Sequence, residues 1–299
     1  MPLLAAMAFL SKESAAPLPL VMVALDLALG YGPRTSIRQP RIWVSRYLPV
    51  FAVLLGYLAV RSVLVTTAPG SPFLGMGAGV VGLTMVRTVV LYARMLLVPW
   101  PLCAYYDPSI WPPVADPLDP LVLLGAAICI LYVLAMAVAW RRDRRVLALL
   151  LFVPLVMAPY MHIVSFRTIA GERFLYLASA ALCGLAGMAW AGERSPQSEA
   201  KPAAWSRVAL VAGLAVLLAL SGITAVRNAD WRSNRTIMEA KVRDFPESFD
   251  AHFALGRYIL DVEAKPAEAV PHLERANEIW PGFERGQQIL DQARSPAGP

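Results

Sequence analysis

The sequence predicts an all-α protein: a polytopic membrane bundle of about six spans plus one interfacial or re-entrant helix, followed by a short soluble helical tail. Two observations carry that prediction. The 299 residues are 58% hydrophobic and only 16% charged, whereas a soluble domain carries about 25% charge. The shortfall is concentrated in runs without Asp, Glu, Lys or Arg: Leu121–Trp140, Val146–Phe166, Phe174–Gly192 and Val208–Val226, of 20, 21, 19 and 19 residues. A helix of about 20 residues crosses the hydrocarbon core, and backbone in lipid must bond internally, so these runs read as helices.

Taken in order, Pro2–Leu29 reads as a first span interrupted by Lys12 and Glu13. It lacks the basic start of a secretory signal. Gly30–Arg46 is a connector with Arg34, Arg38, Arg41 and Arg46 and no acid, and Tyr47–Val65 is a second span. The Trp140–Arg145 connector, WRRDRR, is basic as well, and Glu193–Arg207 is polar with Lys201 and Arg207. Lys and Arg collect on the cytoplasmic side, so these three connectors are expected there. The acidic loop Tyr105–Asp119, with Asp107, Asp116 and Asp119, is then expected outside. Both placements hold only if Thr66–Leu102 begins and ends on the outer side. Its helical part, about Gly79–Val98, carries Arg87 and Arg94 seven residues apart on one face, which predicts an interfacial or re-entrant amphipathic helix.

Net charge changes sign along the chain. Residues Met1–Val226 hold 17 basic and 9 acidic side chains, whereas Arg227–Pro299 hold 10 and 12. The expected organisation is a membrane domain over 1–226 and a soluble tail over 227–299. The basic excess follows the positive-inside rule, so no nucleic acid partner is implied. In the tail, Phe249–Pro281 carries Gly256, Ala269, Ala276 and Pro281 at the spacing of a tetratricopeptide repeat, with one extra residue placed in the turn Glu263–Pro266. Gly282–Ala293 is expected as a capping helix, because a single repeat cannot bury its own apolar face. An ordinary helical hairpin remains the alternative.

Several residues are candidates for chemistry. Lys12 and Glu13 lie inside the first span, where an ionisable group costs about 2.5–3.5 kcal/mol and faces either a water-filled cleft or a partner; Arg61 and Arg87 are the candidate partners. Pro159–Tyr176 crowds His162, Arg167, Glu172, Arg173 and Tyr176 at one outer loop. Guanidinium groups there suit a lipid-linked phosphate, with Arg87 and Arg94 able to join them, or the head groups of ordinary lipid. Asp107 precedes Pro108, which suits turn chemistry. His162 reads as an interface histidine, and His252 and His272 as structural. Cys103, Cys129 and Cys183 lack paired spacing and read as small core residues. No metal site, no cofactor site and no dinucleotide loop is indicated; the glycines of LGMGAGVVG follow no soluble strand.

Three stretches in order carry a resemblance. FLSKESAAPLPLVMVALD resembles the Lys-Glu helix of the membrane O-mannosyltransferases that bear tetratricopeptide repeats, a C-type glycosyltransferase family. TMVRTVVLYARMLLVPWPLCAYYDPSIWP is similar to that family's outer-loop segment, and ERFLYLASAALCGL to its Glu-Arg-x-Leu-Tyr-Leu entry into a late span. Trp231-Arg232-Ser233-Asn234 then leads into the repeat. The resemblance implies transfer of a sugar, typically mannose, from a polyprenyl-phosphate donor to Ser or Thr of an acceptor protein presented by the tail. It implies carrier-phosphate binding by Arg167 or Arg173 supported by Glu172 and Tyr176, and a cleft lined by Lys12 and Glu13. The family's catalytic acid lies upstream of the Lys-Glu helix, where this chain starts. The expectation is therefore the C-terminal half of such an enzyme, with Lys12, Glu13 and Asp107 as the cleft candidates, or a non-catalytic membrane-anchored repeat scaffold. Ala/Leu/Arg-rich composition points to a bacterial inner membrane with a periplasmic tail; an endoplasmic reticulum protein with a lumenal tail would show the same charge pattern.

Overall fold

The computed structural model describes residues 2–29, 40–64, 72–73, 75–103, 105–162, 168–192 and 203–295. The long regular elements among them are α-helices, and they form two compact units: Met1–Trp100 with Pro113–Trp190, and Pro101–Pro112 with Ala191–Pro299.

The first unit begins with α1 (Pro2–Ser11) and α2 (Leu18–Leu29), separated by a 3₁₀ turn at Glu13–Ala15. The sequence led us to expect one span here, and the interruption is a proline effect. Pro17 lacks a backbone donor and pushes Ala16 out of the helical region, whereas Pro19 sits in the first turn of α2, where a missing donor is tolerated. Both prolines are buried. Next come α3 (Pro40–Leu64), α4 (Ala78–Leu97), α5 (Pro120–Arg142), α6 (Arg144–Met157) and α7 (Leu175–Gly192). The apolar run Val146–Phe166 outlasts its helix. Pro154 lies inside α6, which gives way to a 3₁₀ turn at Ala158–Tyr160, and His162 then takes a positive φ of 55°.

Four helices among the described residues are long and apolar enough to cross a bilayer: Val44–Leu64, Ala78–Leu97, Pro120–Arg142 and Arg207–Asp230. Their outward side chains are largely apolar, among them Leu123, Leu124, Ile130, Leu131, Val133 and Leu134 of α5. Soluble proteins seldom leave apolar surface on this scale uncovered. A membrane protein does. Cys103 is buried, whereas Cys183 is exposed on α7 rather than in a core.

One end of this unit is fixed by small residues. Ala28 near the end of α2, Ala139 near the end of α5 and Leu147 at the start of α6 share a core with Leu185 of α7. The helix ends that lead into the basic connectors therefore converge. Asp143 alone links α5 to α6: its backbone N–H donates to the Ala139 carbonyl, and its carboxylate accepts from Arg145 N at 2.8 Å. The Arg144 guanidinium lies 4.0 Å from the Trp140 ring centroid. Toward the opposite end, mid-α4 crosses the first turns of α5 so closely that a Cβ on Gly125 would overlap the Val86 carbonyl oxygen.

The second unit contains α8 (Ala203–Asp230), then α9 (Asn234–Asp244), α10 (Phe249–Asp261), α11 (Pro266–Ile279) and α12 (Glu284–Arg294). Arg227 at the end of α8 reaches Asp230 at 3.3 Å and Asp244 of α9 at 3.5 Å, which ties the long apolar helix to the tail. Ser233 caps α9 reciprocally with Thr236. Leu255 and Ile259 of α10, Leu273 of α11 and Leu290 of α12 form the tail's core, each worth about 1.5–3 kcal/mol when buried. Gly256 faces Leu273, whose Cγ would lie 2.8 Å from an added Cβ. Ala264 takes a positive φ of 54° in the turn expected between these helices.

Gly256→Val should cost the tail about 1–3 kcal/mol by overpacking. Gly222→Ala in α8, where nothing lies within 4 Å of an added Cβ, should be neutral or slightly stabilising. Thermal unfolding of the two variants in the same detergent compares them; equal behaviour would contradict the close α10–α11 crossing.

Candidate functional site

The sequence candidates divide between the two units. Lys12, Arg87, Arg94, Glu172, Arg173 and Tyr176 belong to the first, and Asp107 to the second. Arg167 and the side chain of Glu13 lie outside the described residues.

The Lys12–Glu13 break sits beside the later half of α3. Phe9 shares a core with Val50, and Ala15 and Leu18 pack against it together with Tyr57. Arg61 donates to the Tyr57 hydroxyl at 3.2 Å. Lys12 itself is exposed. On α4, Thr84 and Thr88 are fully buried and return their hydroxyls to the preceding turn, while Thr84 Oγ1 also accepts from Val114 N at 2.9 Å. Arg87 approaches Asp119 at 4.0 Å with its side chain 15% exposed. Asp119 also caps α5 by accepting from Leu121 N and Val122 N. Arg87 is thus half-buried against a carboxylate, whereas Arg94 is exposed and donates to the Trp100 carbonyl at 3.2 Å.

The loop after α6 is built around aromatic contacts. His162 Nε2 lies 3.1 Å from the Thr168 carbonyl, and its ring meets Phe73 edge-on at 4.8 Å. Ile169 and Ala170 are fully buried. A 3₁₀ turn at Glu172–Phe174 follows, with Phe174 stacked on Tyr160 at 4.0 Å. Three neighbours in sequence take different environments here. Glu172 is half-buried, Arg173 is exposed with its guanidinium 5.1 Å from the Phe174 ring centroid, and Tyr176 is 79% exposed. The Arg173 cation lies at the surface beside the Phe174 ring, and Tyr176 projects outward on the first turn of α7.

In the second unit, Asp107 is the centre of a dock between Pro101–Pro112 and the tail. Its Oδ1 accepts from Ser109 N at 2.9 Å and from the Ser109 hydroxyl, and its Oδ2 accepts from Ser248 Oγ at 2.6 Å. Lys241 Nζ lies 3.5 Å from the same oxygen and 2.6 Å from Asp250. Burial works against the Lys241 ammonium, but Asp250 and Asp107 outweigh it and hold its titration above the ordinary lysine range. Ser248 is fully buried and also caps α10 by accepting from Ala251 N at 3.0 Å. Ser109 Oγ accepts from Phe249 N at 2.9 Å, and Tyr106 packs edge-on against Phe245 at 5.8 Å. The turn chemistry expected of Asp107 is present, and so is a second role joining residues 141 apart in sequence. Its oxygens are committed to hydroxyl, amide and ammonium donors, an arrangement suited to holding a loop.

Asp26 escaped the sequence reading. It accepts from the Tyr47 hydroxyl at 2.6 Å and pairs with Arg46 at 2.9 Å, near the end of α2 that leads into a basic connector. The available signal was a single carboxylate in an apolar run. Ser248 had a signal too, as a Ser immediately before a helical period. Among the described residues no group of three potential metal ligands converges. No family model, no curated protein and no solved structure matches the chain.

Asp107→Asn should cost the loop–tail dock about 1–3 kcal/mol, because Lys241 loses one carboxylate while remaining buried. Ser248→Ala removes both a cap and the same hydrogen bond, so the two changes should be non-additive. Amide exchange at Phe249–Leu255 reads the dock directly; additive losses would separate Asp107 from the cap.

Proposed function

We propose that this chain is part of a membrane glycosyltransferase, O-mannosyltransferase-like, that takes its sugar from a polyprenyl-phosphate carrier and uses a tetratricopeptide-type tail to present an acceptor protein. One observation carries the proposal. Tyr105–Pro112 and the helical tail, both part of the resemblance, fold together in one unit through Asp107, Ser109 and Ser248. Loop and tail must then share a side of the membrane. Within the first unit, the helix ends that converge lead into basic connectors, which the positive-inside rule favours on the cytoplasmic side. That arrangement supports about six spans with a periplasmic tail, α1–α2 together counted as one span and α4 lying at the interface.

Within this scheme Arg173 is the strongest candidate for the carrier phosphate. It is exposed and stacked, and guanidinium binds oxyanions with two parallel hydrogen bonds. Arg94 is the second candidate; Arg167 completes the set by sequence. Arg87 is committed to Asp119 and positions α4. Glu172 and Tyr176 are assigned support of the Arg173 segment, and Lys12 and Glu13 the lining of a cleft beside α3. Asp107 is assigned to the dock, and no general base is assigned among these residues. That engagement of Asp107 favours a second reading, a membrane-anchored repeat scaffold without catalysis.

The two readings diverge on carrier binding. Arg173→Ala should weaken retention of a polyprenyl-phosphate sugar by the detergent-purified chain about tenfold or more, with membrane insertion unchanged. Native mass spectrometry with added carrier measures this. Equal retention by the variant removes Arg173 from the site, and no retention by the parent chain leaves the scaffold.

A further inference from the structure

Two imidazoles face each other inside the tail. His252 on α10 is buried and His272 on α11 is half-buried, with their Nδ1 atoms 3.3 Å apart and ring centroids 5.5 Å apart. His252 Nε2 lies 3.0 Å from the Pro246 carbonyl. That carbonyl is only an acceptor, so Nε2 carries a hydrogen and Nδ1 of neutral His252 accepts from His272. A first proton is accommodated, because one N–H···N bond survives whichever ring is charged. A second proton places two N–H donors head to head.

The surroundings offer the second proton little compensation. Glu247 faces the pair from the Phe245–Ser248 turn, Glu239 and Arg235 from α9, and Glu268 and Arg275 from α11. Arg275 already holds Glu247 and Glu278, and Arg235 already holds Glu239, Glu263 and Glu268. The carboxylates are therefore neutralised in advance. Burial is the first cause pushing both rings below the ordinary histidine range.

The pair is wired to the loop–tail dock. The turn that accepts the His252 ring through Pro246 also presents Phe245 to Tyr106 and Ser248 to Asp107, while His252 N donates to the Ser248 carbonyl at 3.3 Å. We propose that the His252–His272 pair is a proton-operated release, in which uptake of the second proton in mildly acidic solution loosens the Phe245–Ser248 turn and frees residues 101–112 from the tail. Among the described residues no group of three or more His, Cys, Asp or Glu side chains is placed to hold a metal ion. The device stands independently of any sugar chemistry.

The sign follows from linkage. The docked state holds its histidines below their ordinary position and so binds fewer protons than the released state, in which they titrate near about 6.5. Docking is at full strength above that pH and weakens as pH falls through and below it. Amide exchange of the full chain in lipid nanodiscs, corrected for intrinsic rates, tests this between pH 7.5 and 5.0. Opening of residues 101–112 and 245–252 should rise about tenfold, and His272→Phe should abolish the rise. A flat profile in the parent chain, or an undiminished rise in His272→Phe, overturns the proposal. Imidazole ¹⁵N shifts of the parent chain give a check that needs no variant. Two separated titrations are expected; two coincident ordinary histidine titrations overturn it as well.

Discussion

A helix that starts against protein instead of water must find acceptors for its first backbone N–H groups, and the second unit is organised around how α10 does so. Ser248 accepts from Ala251 N in the usual local way. The Phe249 N–H is taken by Ser109, a residue 140 positions earlier. Asp107 then joins the two serines and sets a carboxylate near the positive end of the helix, where negative charge is favourable. Lys241, buried between Asp107 and Asp250, closes the charge balance. Asp107, Ser109 and Ser248 together hold the loop to the helical tail.

Much of this was legible in the sequence, and the remainder was hidden for identifiable reasons. The charge-free runs located α5 and α8 because length and apolarity are one-dimensional properties. Gly256, Ala269 and Ala276 located the tail's helix crossing because close approach requires small residues at fixed spacing. The run Val146–Phe166 misled on length, since hydropathy does not register the missing donors at Pro154 and Pro159. Pro17 splits the first helix for the same reason. Among the candidate site residues, Arg87 and Arg94 are seven residues apart on α4, yet one turned to Asp119 and the other to the Trp100 carbonyl. Partner choice is a tertiary fact. The Asp107–Ser248 contact bridges 141 residues, and no local pattern encodes it.

Charge inside the apolar part follows a consistent rule. Asp26 meets Arg46 and Tyr47, Arg87 meets Asp119, and Arg227 meets Asp230 and Asp244. Asp26, Asp119 and Arg227 lie near helix ends, where a short displacement reaches polar surroundings and the cost of burial is smallest, while Arg87 lies midway along α4. Lys12 conforms differently, placed at a proline-induced break where the helix is already interrupted. Arg94 and Arg173 lie at the surface, the first donating to the Trp100 carbonyl and the second beside the Phe174 ring.

The link between α5 and α6 has a mechanical meaning. Asp143 is the sole residue outside both helices, and its two ends are fastened to the Ala139 carbonyl and the Arg145 amide. With no slack between them, neither helix can slide by a turn along its axis without dragging the other. Ala28 is wedged at the same corner, so α2 feels any such tilt. A displacement begun at the far end of α5 therefore arrives at this corner as movement of three rods together, a lever whose fulcrum is a single aspartate.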